Sequence, residues 1–336
     1  MESRWNVFVQ AMVLLVLLVS VIGVTPVGAG KAAYEYYVVG NSGDVIKSTS
    51  AGTLLMGGGT DVDAAFQWMI EKSGGGDFVV IRATGTDAYN PYIYDLGTVD
   101  SVETVIIKSR AAASDPFVLD KINSAEALFI AGGDQYDYVS YWKGTPVEDA
   151  IHNLIARDVP VGGTSAGLAI LGEFLFSAAN GTVDSKTALG NPYGRRIALD
   201  RDFLVVPNLG GVITDSHFVT RDRMGRLITF LARIVKDGWA TQAKGIGIDE
   251  QTALAVDADG NVSVLGFGSA YMLSTPGGPE VCISKTSLTY RNISVYRLSG
   301  AATFNLATWT GNNGAAYTIA SEAGVLSTDQ ADGGIY

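Results

Sequence analysis

From residue 34 onward, short, nearly continuous apolar runs alternate with stretches in which apolar positions return every three or four residues. The runs at 36–39, Gly52–Met56, Asp77–Arg82, 101–108 and 125–130 are rich in Val, Ile, Leu and Phe, and so predict short strands. The stretches between them predict helices. One covers 64–72, with Phe66, Met69 and Ile70 on one face and Asp61 or Asp63 as its cap; others cover Pro116–Asn123 and 146–157. Strands apolar at successive positions are covered on both faces, and strands separated by helices pair in parallel. The expected fold is therefore α/β, a doubly wound, mostly parallel sheet with helices on both faces. Ligands bind such sheets beyond the carboxyl ends of the strands, where this chain has three loops, 57–63, 132–135 and 163–167.

The pattern changes after Glu250. Asp257-Ala258-Asp259-Gly260-Asn261 is a hairpin signal between 253–256 and 262–265, and β-like runs follow at 280–283, 287–290 and 293–298. Residues 311–336 are small and polar and are assigned no structure. The predicted organisation is an α/β domain over 34–264 and a β-rich C-terminal extension over 265–336 with a polar tail. At the other end, Arg4 precedes the apolar run 12–24, followed by Pro26 and the small residues Val27, Gly28 and Ala29. Residues 1–29 read as a secretory signal peptide cleaved after Ala29, which implies a secreted or periplasmic protein. Only if this segment stayed uncleaved would a membrane be a partner, and Gly23 and Pro26 argue against that.

Composition narrows the functions. At 336 residues, 47% hydrophobic and 17% charged, the chain has ample material for a core. Its net charge of −11 argues against nucleic acid and anionic membrane surfaces as partners. The single cysteine, Cys282, excludes an intrachain disulfide and reads as a packed thiol. With His152 and His217 as the only histidines, a Cys/His metal site lacks its ligands, and no metal or cofactor is expected. Asn180, Asn261 and Asn292 are sequons, relevant only in a glycosylating host. A homodimer is an admissible assembly.

The candidate chemistry centres on Gly163-Thr164-Ser165-Ala166-Gly167, which follows the apolar Val159 and Val161 and precedes an apolar helix-like run. Strand, tight Gly-x-Ser-x-Gly turn and helix form the layout of a nucleophile elbow. Small neighbours let the serine oxygen project, and the first N–H groups of the helix point towards a developing oxyanion. The Gly57-Gly58-Gly59 loop lacks the Lys-Ser/Thr of a phosphate cradle and reads as a structural turn. A serine nucleophile needs a base. His152 lies within a predicted helix and reads as a packing residue, whereas His217 closes the strand-like run 212–216 at the same edge of the sheet. The acid orienting it is Asp215, Asp249 or Glu250, the last two ending the short strand at 245–248. Neighbours on a strand face opposite ways, so Asp249 and Glu250 are not both expected to reach His217. Arg221, Arg223 and Arg226 read either as the exposed surface of a helix, with 223 and 226 on one face and 221 turned away, or as carboxylate-binding guanidinium groups.

Four segments together resemble the cyanophycinase and aspartyl-dipeptidase group of serine peptidases, peptidase family S51, in that family's order. They are 129–135, ending in Gly132-Gly133-Asp134-Gln135; 162–167 around Ser165; Asp215-Ser216-His217-Phe218 with Arg221, Arg223 and Arg226; and 245–250, ending in Asp249-Glu250. The resemblance runs from about residue 38 to 264 and implies a fold similar to the class I glutamine amidotransferase domain. It further implies Ser165 as nucleophile, His217 as base, Glu250 as acid and the N–H groups of Gly133 and Ala166 as oxyanion hole. Gln135, Asp215, Ser216, Arg221, Arg223 and Arg226 would line the substrate cleft, with no metal or cofactor. The implied substrate is cyanophycin, a polymer of β-Asp-Arg units, or a related aspartyl peptide. One residue departs from the pattern: Ser216 stands where cyanophycinases usually carry Gln, which bears on specificity and not on the triad. The alternatives are a secreted serine esterase and a non-catalytic binding protein on the same fold. The esterase fold expects its histidine near the C-terminus, but His217 is followed by a long stretch of chain.

Overall fold

Strand β1 (Tyr34–Gly40) opens the chain of a computed structural model that describes residues 33–336, so the signal-peptide expectation at 1–29 lies outside the described residues. In order there follow β2 (Gly52–Met56), α1 (Asp63–Lys72), β3 (Asp77–Arg82), α2 (Tyr89–Leu96), β4 (Ser101–Ile107) and α3 (Pro116–Asn123). Next come β5 (Ala127–Ile130), α4 (Gln135–Trp142), α5 (Pro146–Ala156), β6 (Val161–Thr164), α6 (Ala166–Ala169), β7 (Phe174–Phe176) and α7 (Ser185–Gly190). The chain continues through β8 (Leu199–Arg201), β9 (Val212–Asp215), α8 (Met224–Lys236), β10 (Lys244–Ile248), β11 (Thr252–Asp257), β12 (Asn261–Gly266) and β13 (Ala270–Ser274). It ends with β14 (Tyr290–Leu298), β15 (Thr303–Asn305), β16 (Thr310–Asn312), β17 (Ala315–Glu322) and β18 (Val325–Thr328).

The α/β fold and its β-rich C-terminal region are as expected, but the strands divide between two mixed sheets. The first has the order β1-β4-β3-β5-β6-β2-β11-β12-β15-β16. Its β4-β3-β5-β6-β2 centre is parallel and the outer pairs are antiparallel. The second runs β18-β17-β14-β13-β10-β9-β7-β8, with β10-β9 and β9-β7 parallel. Burial explains the near-continuous apolar runs. Phe78 and Val80 of β3 pack with Phe66 and Met69 of α1, while Val79 and Ile81 pack on the opposite side with Val118 of α3 and Ile151 of α5. The second sheet is sandwiched likewise: Ile246 and Met272 belong to the same core as α3 and α5, while Ile213 and Leu273 face Leu227, Phe230 and Leu231 of α8.

Three expectations fail, each for a local reason. Residues 311–336 are not structureless: they contain β17 and β18, and Tyr317 and Ile319 are buried against the α8 side of the second sheet. Small Ala and Thr side chains at the outward positions of β17 hide its alternation. The run at 280–283 forms only an isolated bridge, Val281 to Thr289, and the 287–290 run becomes a strand only at Tyr290. Helices α2 and α4 were not expected, since Tyr and Asp dominate them. Burial of Ile93 stabilises α2, and burial of Tyr138 and Trp142 stabilises α4. The Trp142 indole also donates to the Ile107 carbonyl at 3.0 Å.

Candidate active site

The parallel strands β5, β6 and β2 are adjacent in the first sheet, and β9 and β10 are adjacent in the second. Their carboxyl ends meet. Ser165 follows β6 with φ +53° and ψ −111°, a strained turn for a residue with a side chain. Its N–H donates to the Met56 carbonyl at the end of β2, and its carbonyl accepts from Ala169 as α6 begins. The elbow needs glycine because the chain crosses itself closely here: a Cβ on Gly167 would lie 2.0 Å from the Ile130 carbonyl oxygen of β5. A Thr214 hydroxyl bond to the Leu168 carbonyl ties α6 to β9.

His217 follows β9, also at positive φ, with its N–H donating to the Gly57 carbonyl at 2.8 Å. The imidazole Nε2 lies 2.8 Å from Ser165 Oγ, and its Nδ1 lies 2.5 Å from Glu250 Oε1. Burial pulls the His217 pKa below its ordinary value. The Glu250 carboxylate opposes that shift, and Arg221 and Arg223 reinforce it. The imidazole is therefore neutral at pH 7 and can accept a proton at Nε2. The three candidate acids separate cleanly. Asp249 accepts from the N–H groups of Val219 and Thr220 and from the Thr220 hydroxyl, which caps the loop after His217. Asp215 is buried and paired with Arg226, whose Nε donates to Oδ2 at 2.8 Å, and Arg223 lies 3.4 Å from Oδ1. Only Glu250 meets the imidazole. Strand β10 ends at Ile248, so opposite-facing neighbours do not decide the matter; the turn beyond the strand does.

A cleft of about 540 Å³ opens beside Ser165. Gly133, Gln135, Ala166, Asp215, Ser216, Arg221, Arg223 and Arg226 all border it, so the expected site residues come together. Their states differ. The Gln135 amide donates to the Phe176 carbonyl, and Ser216 is buried, its carbonyl accepting from Arg223 at 2.8 Å. Arg221 and Arg223 precede α8 and only Arg226 lies in the helix, so Arg223 and Arg226 do not share an exposed helix face. Burial lowers the Arg223 guanidinium to about 10, which leaves it charged at neutral pH. Asp134 borders the cleft from the 132–135 loop, whereas Arg196 and Asp184, which border it from a loop and a helix cap, carried no signal in the sequence. The Gly57–Gly59 turn is the wall behind the relay: a Cβ on Gly58 (φ +97°) would lie 2.5 Å from His217 Cε1, and one on Gly59 would lie 2.9 Å from Glu250 Cβ. His152 is remote in role, its Nε2 accepting from the Val205 N–H at 3.0 Å, and burial pushes the Cys282 thiol up to about 11. Among the described residues, no group of three or more His, Cys, Asp and Glu side chains is placed to hold a metal ion.

The sequence model of Peptidase family S51 matches residues 95–264, half of the chain. A cyanophycinase from Synechococcus elongatus is 28% identical over 233 residues, covering 66% of this chain and 65% of that protein. The match therefore spans just under two thirds of that relative's length. A cyanophycinase from Trichormus variabilis is 29% identical over 227 residues, covering 64% of this chain and 68% of that protein. Among solved structures, a peptidase from an acI-B1 Actinobacterium superposes with a TM-score of 0.53 at 16% identity, over 77% of this chain and 98% of that one. At that identity the likeness is one of fold.

Proposed function

The chain belongs to peptidase family S51, and from that premise we propose that it is a serine peptidase that cleaves cyanophycin or related aspartyl peptides through Ser165, His217 and Glu250. The observation that carries the reading is the unbroken relay from Ser165 Oγ to His217 Nε2 (2.8 Å) and from His217 Nδ1 to Glu250 Oε1 (2.5 Å), with Ser165 and His217 bordering the cleft. Ser165 Oγ attacks the scissile carbonyl carbon as its proton passes to Nε2. The negative charge that develops on the carbonyl oxygen meets the main-chain N–H groups of Gly133 and Ala166. His217 then returns the proton to the leaving amine, which departs and leaves an acyl-enzyme on Ser165. Water reverses the sequence: it gives a proton to Nε2 and attacks the ester carbon, and as the bond to Ser165 Oγ breaks, Nε2 returns that proton to Oγ and the acid is released. Glu250 fixes the imidazole tautomer with Nδ1–H towards itself and stabilises the imidazolium formed in both halves.

The similar cyanophycinases supply the substrate class, and the arginine-lined cleft suits its carboxylates. Export completes the proposal, with residues 1–29 removed on secretion. Three measurements test it. A fluorophosphonate probe should label the wild-type protein at Ser165 and leave Ser165→Ala unlabelled; an unlabelled wild type would rule out the nucleophile. Incubation with cyanophycin and a panel of α- and β-aspartyl dipeptides, read by mass spectrometry, should release β-Asp-Arg units. Cleavage of α-linked dipeptides alone would overturn the substrate assignment. Sequencing the N-terminus of the secreted protein should find Gly30 first, and an intact Met1 in the membrane fraction would overturn export.

A further inference from the structure

Four guanidinium groups border the cleft, and three of them are engaged. Arg226 is buried on Asp215, Arg223 donates to the Ser216 carbonyl, and Arg221 Nε lies 3.8 Å from Glu250 Oε1. The fourth, Arg196, sits in the loop between α7 and β8 and is exposed. Among the described residues it makes no ion pair or side-chain hydrogen bond. Asp184 is near enough for the Arg196 charge to favour its ionised form, but the carboxylate is already committed to the Thr187 N–H and hydroxyl. Arg196 also stands at a junction. Together with Val183 it borders a second hollow of about 320 Å³, whose other walls are Asn180, Thr187, Gly194, Arg195 and Ile197. In a chain of net charge −11, a guanidinium that borders two adjoining hollows has no structural partner to support among the described residues. Its planar donors suit a carboxylate held bidentately.

We propose that Arg196 and the adjoining hollow form a distal subsite that binds a carboxylate-bearing residue of the substrate beyond the one whose bond is cleaved at Ser165. The subsite makes a chain of several units with free carboxylates (acidic here in that sense, since each β-Asp-Arg unit also carries a guanidinium) a better ligand than a single dipeptide. Its link to turnover rests on the peptidase reading above, but its binding role does not, and the test separates the two.

The probes are a chain of three β-Asp-Arg units, the same chain with its free carboxylates converted to amides, and poly-aspartate. Binding is followed by isothermal titration to Ser165→Ala, alone and combined with Arg196→Ala or Arg196→Lys. Cleavage is followed with Ser165 present. Removing the Arg196 guanidinium should weaken binding of the acidic chains about tenfold or more and leave the amidated chain unchanged, with Lys restoring part of the loss. In turnover, KM for the three-unit chain should rise by a similar factor while kcat stays within about threefold, since the contact is made equally in the ground and transition states. If Arg196→Ala binds and cleaves the acidic and amidated chains in the wild-type ratio, the subsite is refuted while the peptidase stands. If acidic chains bind in an Arg196-dependent way but none is cleaved, the subsite stands and the peptidase reading fails. Absence of binding by any acidic chain overturns the subsite as well.

Discussion

Three carboxylates compete for one imidazole in the sequence, and the geometry gives each a different task. Glu250 faces His217, Asp249 caps the loop that follows it, and Asp215 pairs with Arg226. Glu250→Gln keeps the shape and removes the charge, so kcat should fall by roughly two to four decades with little change in melting temperature. Asp249→Asn should show the opposite pattern, a lower melting temperature with kcat nearer to wild type. Measuring both quantities on both variants checks the assignment, and an inactive but fully stable Asp249→Asn would reverse it. The pH profile tests the base. Burial holds the His217 pKa below 6.5, so the imidazole loses its proton at a lower pH than a free histidine and is already competent at pH 7. The kcat/KM profile should therefore be flat near neutrality and fall on the acid side with a midpoint below 6.5. A midpoint above 7 would mean that Glu250 and not burial dominates.

At the scale of elements, the site is built from the ends of five parallel strands. The least conspicuous of them, β2, contributes only backbone: the Gly57 carbonyl accepts from His217 and the Gly58 carbonyl accepts from Gln251. This turn fixes both ends of the His217–Glu250 pair, and it can do so only because no side chain intervenes. Gly58 combines positive φ with a Cβ direction straight into the imidazole. Gly58→Ala should therefore displace His217 and lower kcat by about 10- to 1,000-fold, since small misplacements of reacting groups are costly. An alanine variant with wild-type kcat would show that the turn yields, and that His217 is held by Glu250 alone. The turn at Gly57 to Gly59 is structural, as its sequence suggested, and what it supports is the His217–Glu250 pair rather than a generic bend.

At the scale of the molecule, the C-terminal region is part of the core. Its strands extend both sheets, and the last residue reaches back to the site: the Tyr336 hydroxyl accepts from the Met224 N–H at the start of α8, donates to Asp222, and its ring packs on Phe218 beside His217. Deleting residues 311–336 removes the buried Tyr317 and Ile319, each contributing about 1.5–3 kcal/mol. The truncated protein should be insoluble or melt well below the full chain. Soluble expression with an unchanged melting temperature would show that the region is an appendage.

The sequence by itself marked β1 to β6 and the helices α1, α3 and α5, because runs apolar on both faces and runs of helical period are local properties of the chain; the Tyr-rich α2 and α4 it did not mark. It also marked the elbow at Ser165 and, with only two histidines, narrowed the base to one placed at a strand end. Tertiary structure decided the rest. Pairing is non-local, so the division into two sheets, with Ser165 at the end of one and His217 and Glu250 at the end of the other, cannot be read from periodicity. Which carboxylate meets the imidazole depends on the turn beyond Ile248, where strand alternation no longer applies. The cleft role of Arg196 and the backbone wall at Gly58 have no signature in the chain, because a loop arginine and a turn glycine look the same wherever they occur. Only the folding of distant segments against one another gives those two residues something to face.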